Sequence, residues 1–503
     1  MIAPDWIAYH AKTSPGSVAC IDATSGRKFT YRQLNERTAA LTHVLISRFG
    51  VAKGDRIAVL SRNDTDQFEI LFACQRAGAI FIPLNWRLTV AELEVIVGDA
   101  APTVLFYSTD FRAAAEQLKS LVAIRHAVEM SGGLPSEYEE HIAETSPMYF
   151  VADRSAEDIY ALLYTSGTTG RPKGAQITYA MALCNAIVLG STFRLTAESR
   201  NLVVLPLFHT GGLNVFALPT FFHGGTNIVT REFDAELVMR MLKSSKFRVS
   251  HMLAVPTIHA LLAAQPGFAE GWSIKPYGLC VAGAPCPVST IQAYAERGLA
   301  LRQCWGMTEA GPLALIMPYE QSPSKYGSSG MPNMFARTAI ADLSGRLLPD
   351  GEIGELLVKG PVVTSGYWNR PDANKEAFVE GWFRTGDAAY RDADGYYYIV
   401  DRWKDMYISG GENIYPAEIE RVLVLLTEVA ECAVVPMQDE KWGEVGKAFI
   451  VLNDACSITS DVLIAHCEKH LARYKIPKQF RFIEVLPRNA TGKILKTRLR
   501  ELA

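Results

Sequence analysis

The chain has 503 residues, of which 49% are hydrophobic, and its formal net charge at pH 7 is −3. This length suggests about three structural units, and the composition is that of a globular protein with a large core. Overall disorder is therefore excluded, and the near-neutral charge gives no support for a nucleic-acid-binding protein.

The cysteines and the apolar runs indicate a cellular compartment. Nine cysteines are spread along the chain without a CxxC pair, so we predict neither a zinc site nor a redox pair. They are typical of small buried thiols in a reducing environment. The first residues lack the pattern of a signal peptide, and no apolar run reaches the roughly 18 residues of a transmembrane helix. We therefore expect a cytoplasmic protein.

The first two thirds of the chain alternate short apolar strands with amphipathic helices. Residues 57–60 are predicted to form a strand, residues 66–77 a helix and residues 79–82 a second strand. Thr89 and Glu92 have the spacing of a capping box, which predicts the start of another helix. We expect an α/β fold in which mainly parallel sheets are covered by helices. Further predicted strands of this series lie at 103–106, 202–205, 226–229, 250–253 and 278–281.

The pattern changes in the last third of the chain. Frequent turn residues between β-rich runs predict a small β-rich subdomain over about 335–400. The polar residues 401–404 then suggest a hinge. We therefore predict a large N-terminal domain over 1–400 and a small α+β C-terminal domain over 405–503.

Positive charge is concentrated at the C-terminal end. Residues 468–503 contain ten Lys or Arg and three acidic residues. A basic segment of this kind is usually a solvated face, but it also suits a lid that closes on phosphates.

Residues 164–174 form the most informative segment of the chain, Tyr-Thr-Ser-Gly-Thr-Thr-Gly-Arg-Pro-Lys-Gly. Its glycines free the backbone to expose N–H groups, its hydroxyls add donors, and Lys173 adds a positive charge. Such a loop suits a polyphosphate. A Walker A loop is disfavoured by the spacing, because Pro172 stands where the second glycine is required and Gly174 follows the lysine.

This loop resembles the signature loop of the adenylate-forming superfamily, which includes acyl-CoA synthetases, adenylation domains of peptide synthetases and firefly luciferase. Further superfamily motifs follow in the same order, so the resemblance covers nearly the whole chain. It implies an acid–thiol ligase that makes an acyl-adenylate from ATP, releases pyrophosphate and then transfers the acyl group to CoA. The motifs are Pro206–His209, Val281–Pro285, Gln303–Glu309, Trp382–Asp387, Asp401–Lys404 and Pro487–Lys493.

The resemblance implies a role for each motif of the N-terminal domain. His209 would border the carboxylate substrate and gate its pocket, Thr308 would donate to the α-phosphate, and Glu309 would bind Mg²⁺. Trp305 replaces the more frequent tyrosine of its motif, and either ring can stack on adenine. The residues implied to bind the nucleotide are Thr165, Ser166, Gly167, Thr168, Thr169, Gly170, Lys173, Gly283, Ala284, Gln303, Trp305, Gly306, Asp387 and Arg402.

The motifs near the hinge and in the C-terminal domain complete the implied site. Asp387 would accept the ribose hydroxyls, and Arg402 would reach the ribose or the α-phosphate. Lys404 occupies the position of the hinge residue, and the pair Gly410-Gly411 would line the channel for the pantetheine arm of CoA. Lys493 would be the catalytic lysine of adenylation, and the mobile C-terminal domain would withdraw it for the thiol step.

The residues at two motif positions restrict which class of acid can be the substrate. Thr210 stands where amino-acid-specific relatives have an aspartate, so an amino acid is not expected. Cys304 stands where malonate-specific relatives have an arginine, so a dicarboxylate is not expected either. The apolar residues Leu213, Val215 and Phe216 suggest a fatty, aromatic or alicyclic acid.

Several alternatives stay open from the sequence alone. An acyl-AMP ligase that delivers to a carrier protein and a luciferase-like adenylating oxygenase would share these motifs. A nucleotide-binding regulator without catalysis would tolerate the loss of Glu309 or Lys493, yet both are present. The expected partners are a carboxylic acid, ATP, Mg²⁺ and CoA, without a nucleic acid; peripheral membrane contact and a homodimer are left open.

Overall fold

The computed structural model describes residues 4–166, 172–268, 270–322, 324–342, 344–409, 412–440, 442–454, 456–488 and 494–503. The chain divides into two compact units. One consists of Met1–Thr338 with Val358–Phe383, and the other of Ala339–Leu357 with Arg384–Ala503.

The first unit contains two sheets and the helices that cover them. Its strands include β1 (Val18–Asp22), β2 (Lys28–Thr30), β3 (Arg56–Leu60), β4 (Ile80–Pro83), β5 (Val104–Ser108), β6 (His126–Met130), β7 (Ile159–Ser166), β8 (Pro172–Thr178), β9 (Arg200–Val203), β10 (Thr226–Val229), β11 (His251–Ala254), β12 (Gly278–Val281), β13 (Arg302–Trp305), β14 (Leu315–Ile316) and β15 (Met331–Pro332). Its helices include α1 (Trp6–Thr13), α2 (Tyr31–His43), α3 (Asp66–Ala77), α4 (Val90–Ala100), α5 (Arg112–Leu121), α6 (Glu137–Ala143), α7 (Tyr179–Phe193), α8 (Leu218–Phe222), α9 (Ala235–Lys243), α10 (Pro256–Ala263), α11 (Val288–Ala295) and α12 (Pro371–Ala377).

Both sheets of the first unit are mainly parallel. Among the described residues, one has the strand order β6-β5-β3-β4-β7-β8 and the other β15-β14-β13-β12-β11-β9-β10-β1-β2. Alternate residues of β3 pack into different clusters, Ile57 and Val59 into one and Ala58 and Leu60 into the other. Both faces of that sheet are therefore covered, which explains why its strands are apolar throughout. The predicted α/β architecture is confirmed.

The local signals for helices are also present in the structure. The predicted helix at 66–77 is α3, with the same bounds. Thr89 and Glu92 form the capping box at the start of α4, because the Thr89 hydroxyl accepts from the Glu92 N–H and the Glu92 carboxylate accepts from the Thr89 N–H. No helix in the described part of the chain is long and apolar enough to cross a membrane.

The second unit is smaller and has α+β character. Its core includes Tyr407, Ile419, Val434, Ile450 and Leu463. The remaining strands and helices of the chain are β16 (Arg337–Ala341), β17 (Gly354–Lys359), β18 (Phe378–Val379), β19 (Trp382–Arg391), β20 (Tyr397–Arg402), β21 (Tyr407–Ser409), β22 (Glu412–Ile414), α13 (Pro416–Leu423), β23 (Val429–Asp439), β24 (Gly443–Leu452), α14 (Ser460–His470), β25 (Gln479–Phe482) and α15 (Lys496–Glu501).

The extent of the second unit differs from the predicted C-terminal domain. Residues 384–400 belong to it, although the sequence pattern groups them with the N-terminal domain. Strand pairing is the physical reason. Strand β19 pairs with β20, with Asp387 opposite Arg402, so residues before position 401 are hydrogen-bonded to the hinge segment. The boundary and hinge at 401–404 stay predictions.

Candidate active site

The strands β7 and β8 carry the two sides of the predicted phosphate loop. They pair in an antiparallel register that places Thr165 opposite Lys173 and Tyr164 opposite Gly174. The predicted residues Gly167, Thr168, Thr169 and Gly170 lie outside the described residues, as does the side chain of Ser166.

The base of this hairpin is held by residues that the sequence did not single out. The Tyr164 hydroxyl donates to Oδ2 of Asp99 at 2.8 Å, and Arg370 pairs with Oδ1 of the same carboxylate at 2.8 Å. A Cβ atom on Gly174 would lie 3.0 Å from the Tyr164 ring. The loop therefore starts from a fixed base.

Glu309 lies next to this hairpin. It belongs to a 3₁₀ turn, Thr308–Ala310, that follows β13, and it is buried. Its Oε1 atom accepts a hydrogen bond from Tyr367 at 2.8 Å and a longer one from Thr165 at 3.5 Å. The fold therefore brings together Thr165 and Glu309, which were predicted from two separate motifs.

A close backbone approach explains the glycine that precedes this turn. A Cβ atom on Gly306 would lie 1.7 Å from the carbonyl oxygen of Pro312, so no other residue fits without a backbone shift. Glycine is required at position 283 for a different reason. The φ angle of Gly283 is 89°, in the left-handed region, whereas the atom nearest to a Cβ placed there is 3.6 Å away. The backbone conformation of Gly283 therefore requires glycine.

The buried strand β13 presents predicted nucleotide-binding residues. Gln303 and Trp305 are two positions apart, so they lie on one face of the strand, while Cys304 packs on the other face in an apolar cluster. The Oε1 atom of Gln303 is buried and has no hydrogen-bond partner among the residues that the structure describes. Such an acceptor suits a donor from a ligand, and the amino group of adenine has the right chemistry.

His209 lies two residues before a π-helix, Gly211–Ala217, a helix type that is frequent at functional sites. It is exposed, and its Nδ1 atom accepts from the Gly211 N–H at 3.0 Å. In the neutral ring the proton is therefore on Nε2.

A narrow cavity lies beside the π-helix. Its polar wall is a connected group, in which Tyr160 donates to Asn214 at 2.6 Å and Asn214 donates to Thr210 at 3.1 Å. The cavity also reaches Thr308. The other described residues that line it are Ile177, Met181, Ala182, Asn185, Leu218, Gly311 and Pro312.

The second unit carries the remaining predicted residues. Asp387 is buried, and its Oδ1 atom is 2.8 Å from Nε of Arg402, so these two predicted residues meet. The buried Glu355 was missed by the sequence analysis. It pairs with Arg384 at 2.6 Å and accepts from the Gly386 N–H at 3.1 Å, which fixes the turn before Asp387.

The predicted catalytic lysine and the predicted CoA channel lie in segments outside the described residues. Lys493 and the pair Gly410-Gly411 lie outside the described residues, and the side chain of Lys404 does too, although its backbone belongs to the 3₁₀ turn Trp403–Asp405. Ion pairs hold the flanks of the Lys493 segment. Arg488 pairs with Glu431 on one side, and Lys496 pairs with Glu420 on the other.

Asp401 connects β20 with α13. Its carboxylate accepts from the backbone N–H of Arg402 at 2.6 Å and from that of Ala417 at 2.7 Å. Burial raises the pKa of Asp401 to about 6 and outweighs the nearby Lys496 ammonium, which lowers it.

The donor set around Glu309 fits Mg²⁺ but not a metal held by protein alone. The described residues contain no group of three or more His, Cys, Asp or Glu that could bind a metal ion together. Magnesium usually takes one or two carboxylates together with substrate phosphates. Glu309, beside the phosphate-loop hairpin, could supply that carboxylate.

Known proteins resemble the chain over its full length. Family models described as AMP-binding enzyme and AMP-binding enzyme C-terminal domain match residues 7–368 and 418–493. The feruloyl-CoA synthase of an Amycolatopsis species is 40% identical, over 98% of this chain and 98% of its own. The long-chain fatty acid–CoA ligase FadD13 of Mycobacterium tuberculosis is 35% identical, over 98% of this chain and 96% of its own. Among solved structures, ATP-bound MatB from Rhodopseudomonas palustris gives a TM-score of 0.92 at 30% identity, covering 100% of this chain and 99% of that one.

Proposed function

Because this chain belongs to the AMP-binding enzyme family and is an AMP-forming acid–CoA ligase that uses ATP, Mg²⁺ and CoA, we propose that its acid is an apolar aromatic monocarboxylate of the ferulate type. The prediction of an acid–CoA ligase from the sequence is thereby confirmed. The aromatic class is one of the three acid classes that the sequence left open.

The 40% identity to a feruloyl-CoA synthase, over 98% of both chains, is the observation that carries this proposal. The apolar walls of the cavity beside the π-helix fit this class, and the cavity reaches Thr308, the residue proposed for the α-phosphate. The cavity has room for about one water molecule, so its wall side chains must move apart to admit a ring. No Lys or Arg is found among its described lining residues, so a second carboxylate would be left unpaired there. The hydroxyl and amide groups of Tyr160 and Asn214 could hydrogen-bond a polar ring substituent.

The first step would join the acid to AMP. A carboxylate oxygen attacks the α-phosphorus of ATP, the bond from that phosphorus to the bridging oxygen breaks, and pyrophosphate leaves. When bound, Mg²⁺ supplies positive charge to the phosphates. Thr308 would donate to the α-phosphate, Glu309 would hold the metal, and Lys173 would attract the phosphates, so positioning and charge lower the barrier.

The second step would transfer the acyl group to CoA. The thiol sulfur attacks the acyl carbonyl, and AMP leaves with the bonding electrons. His209 would border the carbonyl, while Asp387 and Arg402 would bind the ribose of AMP. Lys493 would act in the first step and withdraw for the second, with residues 401–404 as the hinge.

A panel of acids tests the substrate class. CoA-dependent AMP release would be measured with ferulate, cinnamate, palmitate, malonate and 2-succinylbenzoate. We expect the highest kcat/KM for ferulate and cinnamate, and the lowest for the two dicarboxylates. A preference for palmitate would contradict the aromatic class, and a preference for either dicarboxylate would contradict the apolar pocket.

Asn214→Leu tests the polar wall of the cavity. The substitution removes the partner of Tyr160 and Thr210, so the ratio of kcat/KM for ferulate over cinnamate should fall about tenfold, as expected for the loss of one hydrogen bond. Both acids are measured with the same enzyme sample, so a smaller folded fraction of the variant does not change this ratio. An unchanged ratio would place the ring substituent elsewhere.

We also propose that the protein is cytoplasmic. All nine cysteines are free thiols, seven of them buried, which suits a reducing compartment. Cell fractionation with an antibody against the chain tests this; recovery from an oxidising compartment would contradict it.

A further inference from the structure

Tyr367 lies between two of the residues proposed for ATP binding, although no sequence motif singled it out. Its side chain is buried, with 8% of its surface exposed. The hydroxyl donates to Oε1 of Glu309 at 2.8 Å, and Nζ of Lys173 lies 5.1 Å from the centre of the ring. One side chain therefore contacts both the carboxylate proposed for Mg²⁺ and a cation proposed for the phosphates.

The backbone of Tyr367 is fixed against the phosphate-loop hairpin. Tyr367 forms an antiparallel bridge with Ala175 on β8. On either side of it, the Trp368 N–H donates to the Gly174 carbonyl at 2.8 Å, and the Gln176 N–H donates to the Gly366 carbonyl at 3.0 Å. The strand that carries Lys173 therefore also sets the position of the ring.

The two donors to Oε1 of Glu309 differ in strength. The Tyr367 contact has the usual length of an O–H···O bond, whereas the Thr165 contact at 3.5 Å is at the limit of hydrogen bonding. A carboxylate that binds a metal needs a hydrogen-bonded partner to fix its orientation. Of these two donors, Tyr367 is the one with the geometry to do so.

The ring has a separate effect on Lys173. An ammonium group near the face of an aromatic ring is attracted by the negative π-face. This attraction keeps the lysine beside the hairpin instead of extended into water, so its charge is preorganised for a phosphate.

We propose that Tyr367 is a positioning residue for the metal–nucleotide complex: its hydroxyl orients Glu309 for Mg²⁺, and its ring restrains Lys173 for the phosphates. This inference rests on the proposed roles of Glu309 and Lys173 in acid activation. It adds one residue, Tyr367, that positions both the proposed metal ligand Glu309 and the proposed phosphate-binding cation Lys173.

Tyr367→Phe tests the hydroxyl, because it keeps the ring. The Mg²⁺ concentration for half-maximal pyrophosphate exchange should rise about tenfold to a hundredfold, the usual effect of removing a group that orients a metal ligand. The KM for the acid should stay unchanged. Independently of turnover, electron paramagnetic resonance with Mn²⁺ should show a similarly weakened affinity of the enzyme–ATP complex for the ion.

Tyr138→Phe is the matched control. Tyr138 is also buried and donates to a glutamate, Oε2 of Glu69, at 2.7 Å, but it lies on α6 and touches none of the proposed site residues through this bond. It should lower thermal stability without changing the Mg²⁺ or Mn²⁺ requirement. The difference between the two variants separates orientation of the metal ligand from loss of a buried hydrogen bond.

Tyr367→Leu tests the ring. It removes both contacts, so ATP affinity without metal, measured by calorimetry, should fall severalfold for this variant and remain at the wild-type value for Tyr367→Phe. Equal affinities of the two variants would overturn the role assigned to the ring.

A double substitution tests whether the hydroxyl acts through Glu309. Tyr367→Phe combined with Glu309→Gln should show the same Mn²⁺ affinity as Glu309→Gln alone. Additive losses, or a wild-type Mn²⁺ affinity in Tyr367→Phe, would overturn the proposal; Mn²⁺ affinity is measured on the folded fraction, so reduced stability does not obscure the result. Absence of pyrophosphate exchange in the wild type with every acid would instead count against the proposed function.

Discussion

Gln303 shows how a single unsatisfied atom can indicate a ligand. Its Oε1 atom is buried on β13 without a partner among the residues that the structure describes. A buried acceptor of this kind destabilises the protein in the absence of a ligand, because it has lost its hydrogen bonds to water. The unpaired Gln303 Oε1 atom therefore lowers the stability of the protein without nucleotide, and a bound nucleotide would supply the missing hydrogen-bond donor.

Gln303→Leu should separate stability from binding. We expect thermal stability to be unchanged or higher, since an unpaired polar atom is removed, and ATP affinity to fall about tenfold, since one buried hydrogen bond of about 1.5 kcal/mol is lost. Differential scanning fluorimetry and calorimetry with ATP measure the two effects. A variant that loses stability but binds ATP normally would contradict the assignment.

Asn227→Leu is the control for this substitution. The Asn227 side chain is buried and hydrogen-bonded, donating to the Ala217 carbonyl and accepting from Asn201. Its replacement should lower stability and leave ATP affinity unchanged.

At the scale of elements, the ends of strands and helices carry the site. Thr165 stands near the end of β7, Gln303 and Trp305 on β13, and Glu309 on the turn that follows β13. The carboxyl ends of parallel strands are a frequent place for ligands in open α/β sheets. In the second unit, Asp401 lies near the end of β20 and links this strand to the start of α13 through the Ala417 N–H.

The carboxyl of Asp401 predicts a pH dependence of stability. Since its pKa is raised from 3.8 to about 6 on folding, its stabilising contribution is complete below pH 3.8 and is lost as the pH rises through about 6. Between pH 5 and pH 8 this loss is about 1 kcal/mol. Asp401→Asn removes it, so relative to wild type the variant should become more stable by that amount at pH 8 than at pH 5.

Urea denaturation at the two pH values measures this difference. Any constant effect of the substitution, such as the loss of one of the two backbone hydrogen bonds, cancels in the comparison. A difference between variant and wild type that is independent of pH would show that Asp401 is ionised in both the folded and the unfolded state across this range.

At the scale of the whole molecule, the predicted site residues divide between the two units. The first unit holds Thr165, Lys173 and Glu309, and the second holds Asp387 and Arg402. Lys493 belongs to the second unit by sequence. In the proposed chemistry, adenylation would need the lysine, whereas thioester formation would need access for a thiol.

Lys493→Ala should separate the two half-reactions. Pyrophosphate exchange should fall by a hundredfold or more, since a cation that stabilises the developing charge contributes several kcal/mol, or about a factor of a hundred or more in rate. Thioester formation from supplied acyl-AMP should stay within a fewfold of wild type. Stopped-flow assays of each half-reaction measure the two rates, and equal losses would contradict the division of labour.

Lys496→Ala serves as the control for Lys493→Ala. It removes a neighbouring positive charge that pairs with Glu420 at 2.8 Å and is not proposed to touch substrate. Its effect should appear in stability and not as a selective loss of adenylation.

The sequence by itself determined the α/β class, the helix at 66–77, the capping box at Thr89, and the family through its ordered motifs. These features depend on local periodicity or on short contiguous segments, which can be read without knowledge of the fold. The tertiary structure alone decided the roles of Asp99, Glu355 and Tyr367. Each acts through a partner far away in the chain, such as Glu309, which lies 58 residues before Tyr367. Contacts of this kind arise when separate segments pack together, and no local pattern records them.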